Sequence, residues 1–171
     1  ANCRHAMVYT EKAGVNCIGV DSIDDYKAML KNLAFTLSLY SGQMCTTPQT
    51  LFVPATGVRT ADGIISAEDF GAQLGAAIGR FIEDSEHAID VLGAIRSLQV
   101  EERIEACSNL GTVLRESVTL LHPQYPKARI RTPLLVEVSV HDHDAWMTEH
   151  FGPISFFVAT ESTPASLAVV E

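Results

Sequence analysis

Leu39-Tyr40-Ser41-Gly42-Gln43-Met44-Cys45-Thr46-Thr47-Pro48-Gln49 is the stretch on which the reading of this chain turns. An apolar run arrives from its N-terminal side, with Tyr26, Met29, Leu30, Leu33, Phe35 and Leu37 at helical spacing. Its second half is so apolar that the helix is expected to be nearly enclosed. Ser41-Gly42 ends the run, and Leu51-Phe52-Val53-Pro54 follows as a strand closed by proline. A helix thus delivers Cys45 into a loop that feeds a strand. A thiol there is a candidate nucleophile, and equally a small buried residue, because free cysteine usually packs as a hydrophobe.

Outward from this centre the pattern repeats. On the N-terminal side Val8-Tyr9-Thr10 and Val15 to Val20 read as strands, and Ser22 with Asp25 reads as a capping box opening the helix. On the C-terminal side, residues 55–65 read as a turn-rich connection around Gly57 and Asp62-Gly63, and Ser66 caps a second helix. Asp84-Ser85 cap a short third helix through Leu92, and a fourth runs from about Gln99 to Asn109. Residues 112–121 can hold a strand, Leu134 to Val138 form a clearer one, and His122 to Pro126 form a rigid loop between them. Asp144 to His150 suggest a short helical segment, broken by Phe151-Gly152-Pro153. Ile154 to Ala159 is a strand, and Thr163-Pro164 opens a last helix. Strands alternating with helices predict an α/β fold, a three-layer α/β/α sandwich around a mostly parallel sheet.

Composition narrows the function. At 171 residues, 47% apolar and 19% charged, the chain suits one well-packed domain. Acids outnumber bases 21 to 12, for a net charge of −9, which argues against a nucleic-acid partner because phosphate binding needs clustered Lys and Arg. No run approaches the roughly 20 apolar residues that span a bilayer, and no secretory pattern opens the chain. A cytoplasmic protein with no membrane partner is therefore expected. Cys3, Cys17, Cys45 and Cys107 are far apart, without CxxC or zinc-like spacing, and reduced thiols are expected. His141-Asp142-His143-Asp144 offers metal-ligand types, but the alternating spacing and the lack of a distant third ligand favour a solvated acidic loop, so no metal site is assigned. No glycine-rich phosphate loop of the GxGxxG or GxxxxGK[ST] kind occurs.

Three short strings remain: Glu11 in EKAG, Cys45 in SGQMCTTP and Glu149 in EHFGPI. Each is ordinary by itself. Together and in this order they resemble the catalytic domain of the aldehyde dehydrogenase superfamily. In that family a loop glutamate precedes a G-Q-x-C nucleophile by about the interval from position 11 to position 45, and an E-x-F-G-P motif follows about a hundred residues later. VYTEKAGVN, LYSGQMCTTPQ and FGPISFFVAT look most like the ring-opening aldehyde dehydrogenases of bacterial phenylacetate degradation.

The resemblance implies roles. Cys45 would be the nucleophile and Glu11 the general base. Glu149 would hold the nicotinamide ribose of NAD or NADP, with Phe151 beside the nicotinamide. It also implies an aldehyde substrate and a homo-oligomer in the full-length protein. Two departures stand out: Lys12-Ala13-Gly14-Val15 replaces the family's glycine-glycine-lysine after the glutamate, and Thr46-Thr47-Pro48 follows the cysteine. Family members carry a dinucleotide-binding domain ahead of this segment, with an asparagine that completes the oxyanion hole. Residues 1–171 are accordingly expected to be one catalytic-type domain truncated at both ends, lacking the dinucleotide-binding domain and inactive alone. Two other classes stay open. One is a non-catalytic interaction or oligomerisation domain on the same fold; the other is a thiol hydrolase with His122 or His150 as base to Cys45.

Overall fold

The central strands form where apolar runs are long enough to be covered on both faces. In the computed structural model, which describes Met7 and residues 13–170, the chain proceeds through β1 (Asn16–Gly19), β2 (Ser22–Ile23), α1 (Tyr26–Ser38), β3 (Pro48–Pro54), β4 (Val58–Thr60) and β5 (Gly63–Ile65). There follow α2 (Ala67–Phe81), α3 (Ser85–Leu92), α4 (Leu98–Cys107), β6 (Thr112–Arg115), β7 (Thr119–Leu120) and β8 (Ile130–Arg131). The chain then continues as β9 (Leu134–Val138), α5 (His143–Trp146), β10 (Ile154–Thr160) and α6 (Thr163–Val170). The main sheet has five strands in the order β1-β3-β10-β9-β6. Its first four strands are mutually parallel, and β6 joins the edge antiparallel to β9.

Strand periodicity sends alternate side chains to opposite faces. Leu51, Val53, Leu135 and Phe157 enter one core with Leu33 and Leu37 of α1 and Phe70 and Leu74 of α2. Their neighbours Phe52, Val136, Phe156 and Val158 enter a second core with Val100 and Ile104 of α4 and with Trp146. Helices therefore cover both faces, and the three-layer α/β/α sandwich read from the sequence is the observed architecture. Pro48, which has no N–H for a ladder, is tolerated as the first residue of β3.

Several local expectations need correction. Ser22 does not cap α1; it lies in β2, paired in parallel with β4, and the Asp25 carboxylate accepts from the Ala28 N–H at 2.9 Å. The second half of α1 is amphipathic rather than enclosed: Leu33 and Leu37 are buried, while Phe35 is 43% exposed; Tyr40, read as part of the helix, lies beyond its end and is 57% exposed. Residues 55–65 are not only turns but hold β4 and β5, an antiparallel pair. The single strand expected over 112–121 is two, β6 on the main sheet and β7 on a separate ribbon with β8. After α5 the chain to Pro153 has no helix. The strand expected at Val8 to Thr10 lies outside the described residues. Asp21, accepting from both Arg59 and Thr163, ties the start of α6 to β4. No helix among the described residues is long and apolar enough to cross a membrane.

Candidate active site

Cys45 owes its position to a backbone that changes hand. After α1 the chain makes a tight turn over Leu39–Gly42 in which Tyr40 (φ 51°), Ser41 (φ 53°) and Gly42 (φ 61°) are all left-handed. For Tyr40 and Ser41 this conformation costs about 1–3 kcal/mol each and persists only when the surroundings hold it. Those surroundings are the connection between α3 and α4. The buried Ser41 Oγ donates to the Leu92 carbonyl at 2.7 Å. Gln43 donates to the Ala94 carbonyl at 3.1 Å and accepts from the Arg96 N–H at 3.1 Å. Gly42 meets the Phe151-Gly152-Pro153 break so closely that a Cβ on it would sit 2.0 Å from the Gly152 carbonyl oxygen, which explains the glycine.

The turn releases Cys45 into solvent, and a strand residue then pins it. The Asn16 side chain, from β1, donates to the Cys45 carbonyl at 2.7 Å and to the Thr47 carbonyl at 3.4 Å. Beside Cys45 opens a cleft of about 890 Å³ whose lining includes Gly14, Gln43, Cys45, Thr46, Glu149 and Phe151. Glu149 is half-buried, and its Oε1 accepts the Gly14 N–H at 3.2 Å. Phe151 leaves 37% of its surface exposed. Three of the four residues singled out from the sequence thus share one cleft, on connections at one end of the parallel sheet. Those connections lead into the amino ends of β1, β3 and β10, opposite the carboxyl ends at which open α/β sheets usually bind ligands. Glu11 lies outside the described residues.

The other two thiols among the described residues differ in kind. Cys17 and Cys107 are free and less exposed than Cys45. Burial pushes the Cys17 thiol up, and pushes Cys107 up to about 11 against a smaller opposing pull from Arg103. His150 is held below its ordinary value, chiefly by burial. Neither histidine considered as a base pairs with Cys45. His150 has its Nδ1 3.3 Å from the Cys107 sulfur and its Nε2 2.9 Å from the Ala145 carbonyl oxygen, while the His122 Nδ1 accepts the Gln124 and Tyr125 N–H groups. The thiol-hydrolase alternative therefore lacks a histidine hydrogen-bonded to Cys45 at either position named for it. In the His141 to Asp144 segment His143 packs against Trp146, with ring centroids 4.9 Å apart, and among the described residues no group of three or more His, Cys, Asp or Glu side chains is placed to hold a metal ion.

Sequence reasoning missed the supports. Asn16 reads as an ordinary strand residue, and Gln49 as the end of the loop before the strand expected at Leu51 to Pro54. Yet Gln49 accepts the His150 N–H at 2.7 Å and donates to the Thr148 and Trp146 carbonyls at 2.9 and 3.3 Å, so it fastens the strip that carries Glu149 to the centre of the sheet. An amide at the head of a buried strand was the available signal, since a buried polar side chain must find partners.

No protein-family model and no curated protein matches the chain. Solved structures do. An NAD-dependent aldehyde dehydrogenase from Burkholderia multivorans is 48% identical, with a TM-score of 0.93, over 97% of this chain and 30% of that one. An aldehyde dehydrogenase from Mycobacterium tuberculosis in complex with NAD+ is 15% identical, with a TM-score of 0.62, over 92% of this chain and 32% of that one. An aldehyde dehydrogenase C variant from Pseudomonas syringae, in complex with NAD+ and octanal, is 15% identical with a TM-score of 0.63, again over 92% and 32%. The last two show the fold alone. The chain spans about a third of the length of the solved structures it matches. The shared fold, and the 48% identity over nearly all of its length, support the aldehyde dehydrogenase superfamily for this chain.

Proposed function

We propose that the chain is the thiol-bearing catalytic domain of an NAD(P)-dependent aldehyde dehydrogenase, with a semialdehyde of aromatic, phenylacetate-type catabolism as substrate. The observation that carries the reading is the convergence of Cys45, Glu149 and Phe151 on one cleft, in a chain 48% identical to part of an NAD-dependent aldehyde dehydrogenase. The choice of substrate rests on the likeness of LYSGQMCTTPQ and FGPISFFVAT to the ring-opening enzymes.

The residues fit a nicotinamide ribose. Glu149 spends one carboxylate oxygen on the Gly14 N–H and keeps acceptor capacity for ribose hydroxyls. Phe151 offers a partly exposed ring, and about 890 Å³ lies within the usual range of small-molecule sites. In the proposed reaction the Cys45 thiolate adds to the aldehyde carbon, and backbone N–H groups around it stabilise the oxygen that becomes negative. The dinucleotide, when bound, supplies the two-electron acceptor. Loss of that carbon's hydrogen as hydride to the acceptor would leave a thioester on Cys45. Glu11 then draws a proton from water, the water oxygen attacks the thioester carbon, and the acid departs as the thiol is restored. Because the chain spans about a third of its relatives, turnover is proposed to need the complementary portion.

A chimera tests this. The matching third of the Burkholderia enzyme is replaced by these 171 residues, and reduced nicotinamide is followed by absorbance with an aryl or aliphatic semialdehyde. The expected result is aldehyde-dependent reduction by the chimera, its loss in Cys45→Ala, and no steady reduction by the 171-residue chain alone. A folded but inactive chimera, or activity that survives Cys45→Ala, would overturn the proposal.

A further inference from the structure

The strip from Glu149 to Gly152 carries both residues proposed to meet the cofactor, and one face of α4 grips it from behind. Val100, Arg103 and Cys107 follow each other at helical spacing and so share a stripe. Cys107 meets His150, with the sulfur 3.3 Å from Nδ1. Arg103 donates to the Phe151 carbonyl. Val100 lies under Gly152, where a Cβ would come within 2.7 Å of its Cγ1 and where φ is 147°. Helix and strip run in opposite directions, so the contacts fall in register.

The chemistry of these contacts is directional. The Ala145 carbonyl can only accept, so His150 must carry its proton on Nε2. Its Nδ1 is then an acceptor, and the Cys107 S–H is the donor that fits it. A thiol held protonated and 1% exposed keeps that role. Arg103 gives a charge-assisted bond to a main-chain carbonyl, and among the described residues it forms no ion pair. On the far side the His150 N–H is taken by Gln49, which completes the clamp.

We propose that Arg103 and Cys107 are positioning residues: the α4 stripe fixes the height and rotation of the Glu149–Phe151 strip, and with it the carboxylate and ring that line the Cys45 cleft. What the strip binds rests on the function proposed above; the clamp itself does not.

Amide hydrogen exchange at His150 reads the clamp in the 171-residue chain without any activity, with the β10 amide of Phe157 as a global reference. Cys107→Ala and Arg103→Ala should each speed exchange at His150 about tenfold while Phe157 follows only the change in global stability. Cys107→Ser, whose hydroxyl can donate to Nδ1, should restore the slow rate, and imidazole 15N shifts should show the Nε2–H tautomer in both wild type and Cys107→Ser. Unchanged exchange in both alanine variants, or serine behaving as alanine, would overturn the proposal. In the chimera the alanine variants should raise the KM for the dinucleotide more than they lower kcat, leaving the KM for aldehyde in place. If exchange responds and that KM does not, the clamp stands and the assignment of Glu149 and Phe151 to the cofactor falls.

Discussion

Replacing Gln49 is the perturbation whose cost can be worked most fully from the structure. Its side chain is 7% exposed and makes three hydrogen bonds, to the His150 N–H and to the Thr148 and Trp146 carbonyls. In Gln49→Leu the Trp146 carbonyl keeps its bond from Thr50 Oγ1, and Thr148, being exposed, can rehydrate. The half-buried His150 N–H is left with no acceptor. An orphaned buried donor costs about 1–3 kcal/mol and the lost Thr148 bond about 1 kcal/mol, so a net loss of about 2–3 kcal/mol is expected after the gain from burying leucine. Gln49→Glu keeps the acceptor for His150 but turns its other oxygen toward two carbonyls. The ionised form is therefore disfavoured in the fold, the folded carboxyl titrates above its unfolded value, and stability relative to wild type is lost as pH rises from about 4.3. Trp146, the only tryptophan in the chain, sits at the contact and reports unfolding in urea by fluorescence. With a slope of about 2 kcal/mol per molar, Gln49→Leu should lower the midpoint by about 1–1.5 M. A midpoint indistinguishable from wild type, or a Gln49→Glu variant that gains on wild type as pH rises, would refute the reasoning.

Two further outcomes follow from titrating groups. The folded pKa of His150 is lowered by burial, so as pH falls through about 6.5 the unfolded chain takes up a proton that the folded chain resists. Wild type should then lose stability relative to His150→Gln by at most about 1.4 kcal/mol per pH unit, full stability being present above pH 6.5; urea midpoints of the two falling in parallel between pH 7.5 and 5.5 would contradict this. Cys45, exposed in the cleft, should be alkylated by iodoacetamide before Cys17 and Cys107, whose thiols burial holds protonated. Peptide mapping by mass spectrometry that found equal or slower labelling of Cys45 would count against it.

Legibility in the sequence tracked whether a feature was local. Leu134 to Val138 and Ile154 to Ala159 announce themselves because strands covered on both faces are near-continuously apolar, broken here only by Glu137 and Ser155. The β4–β5 pair was hidden because strands of three residues are outweighed by the turn signals of Gly57 and Asp62-Gly63. Ser22 and Asp25 are both good caps, and only the pairing of β2 with β4 decides between them. At the site, Cys45 was legible from the helix-ending Ser41-Gly42 and Glu149 from its Phe-Gly-Pro neighbours. Asn16, Gln49 and Arg103 were not, because each meets a backbone group 29 or more positions away, a distance that no local period spans.

The central claim is that the Cys45 sulfur adds to an aldehyde carbon, and that step needs no cofactor. The chain mixed with phenylacetaldehyde carrying 13C at the carbonyl should show by NMR a new tetrahedral carbon, distinct from the free hydrate. That signal should persist in Cys17→Ala and Cys107→Ser and vanish in Cys45→Ser. A thiohemiacetal signal that survives Cys45→Ser, or none in the wild-type chain at saturating aldehyde, would contradict the account.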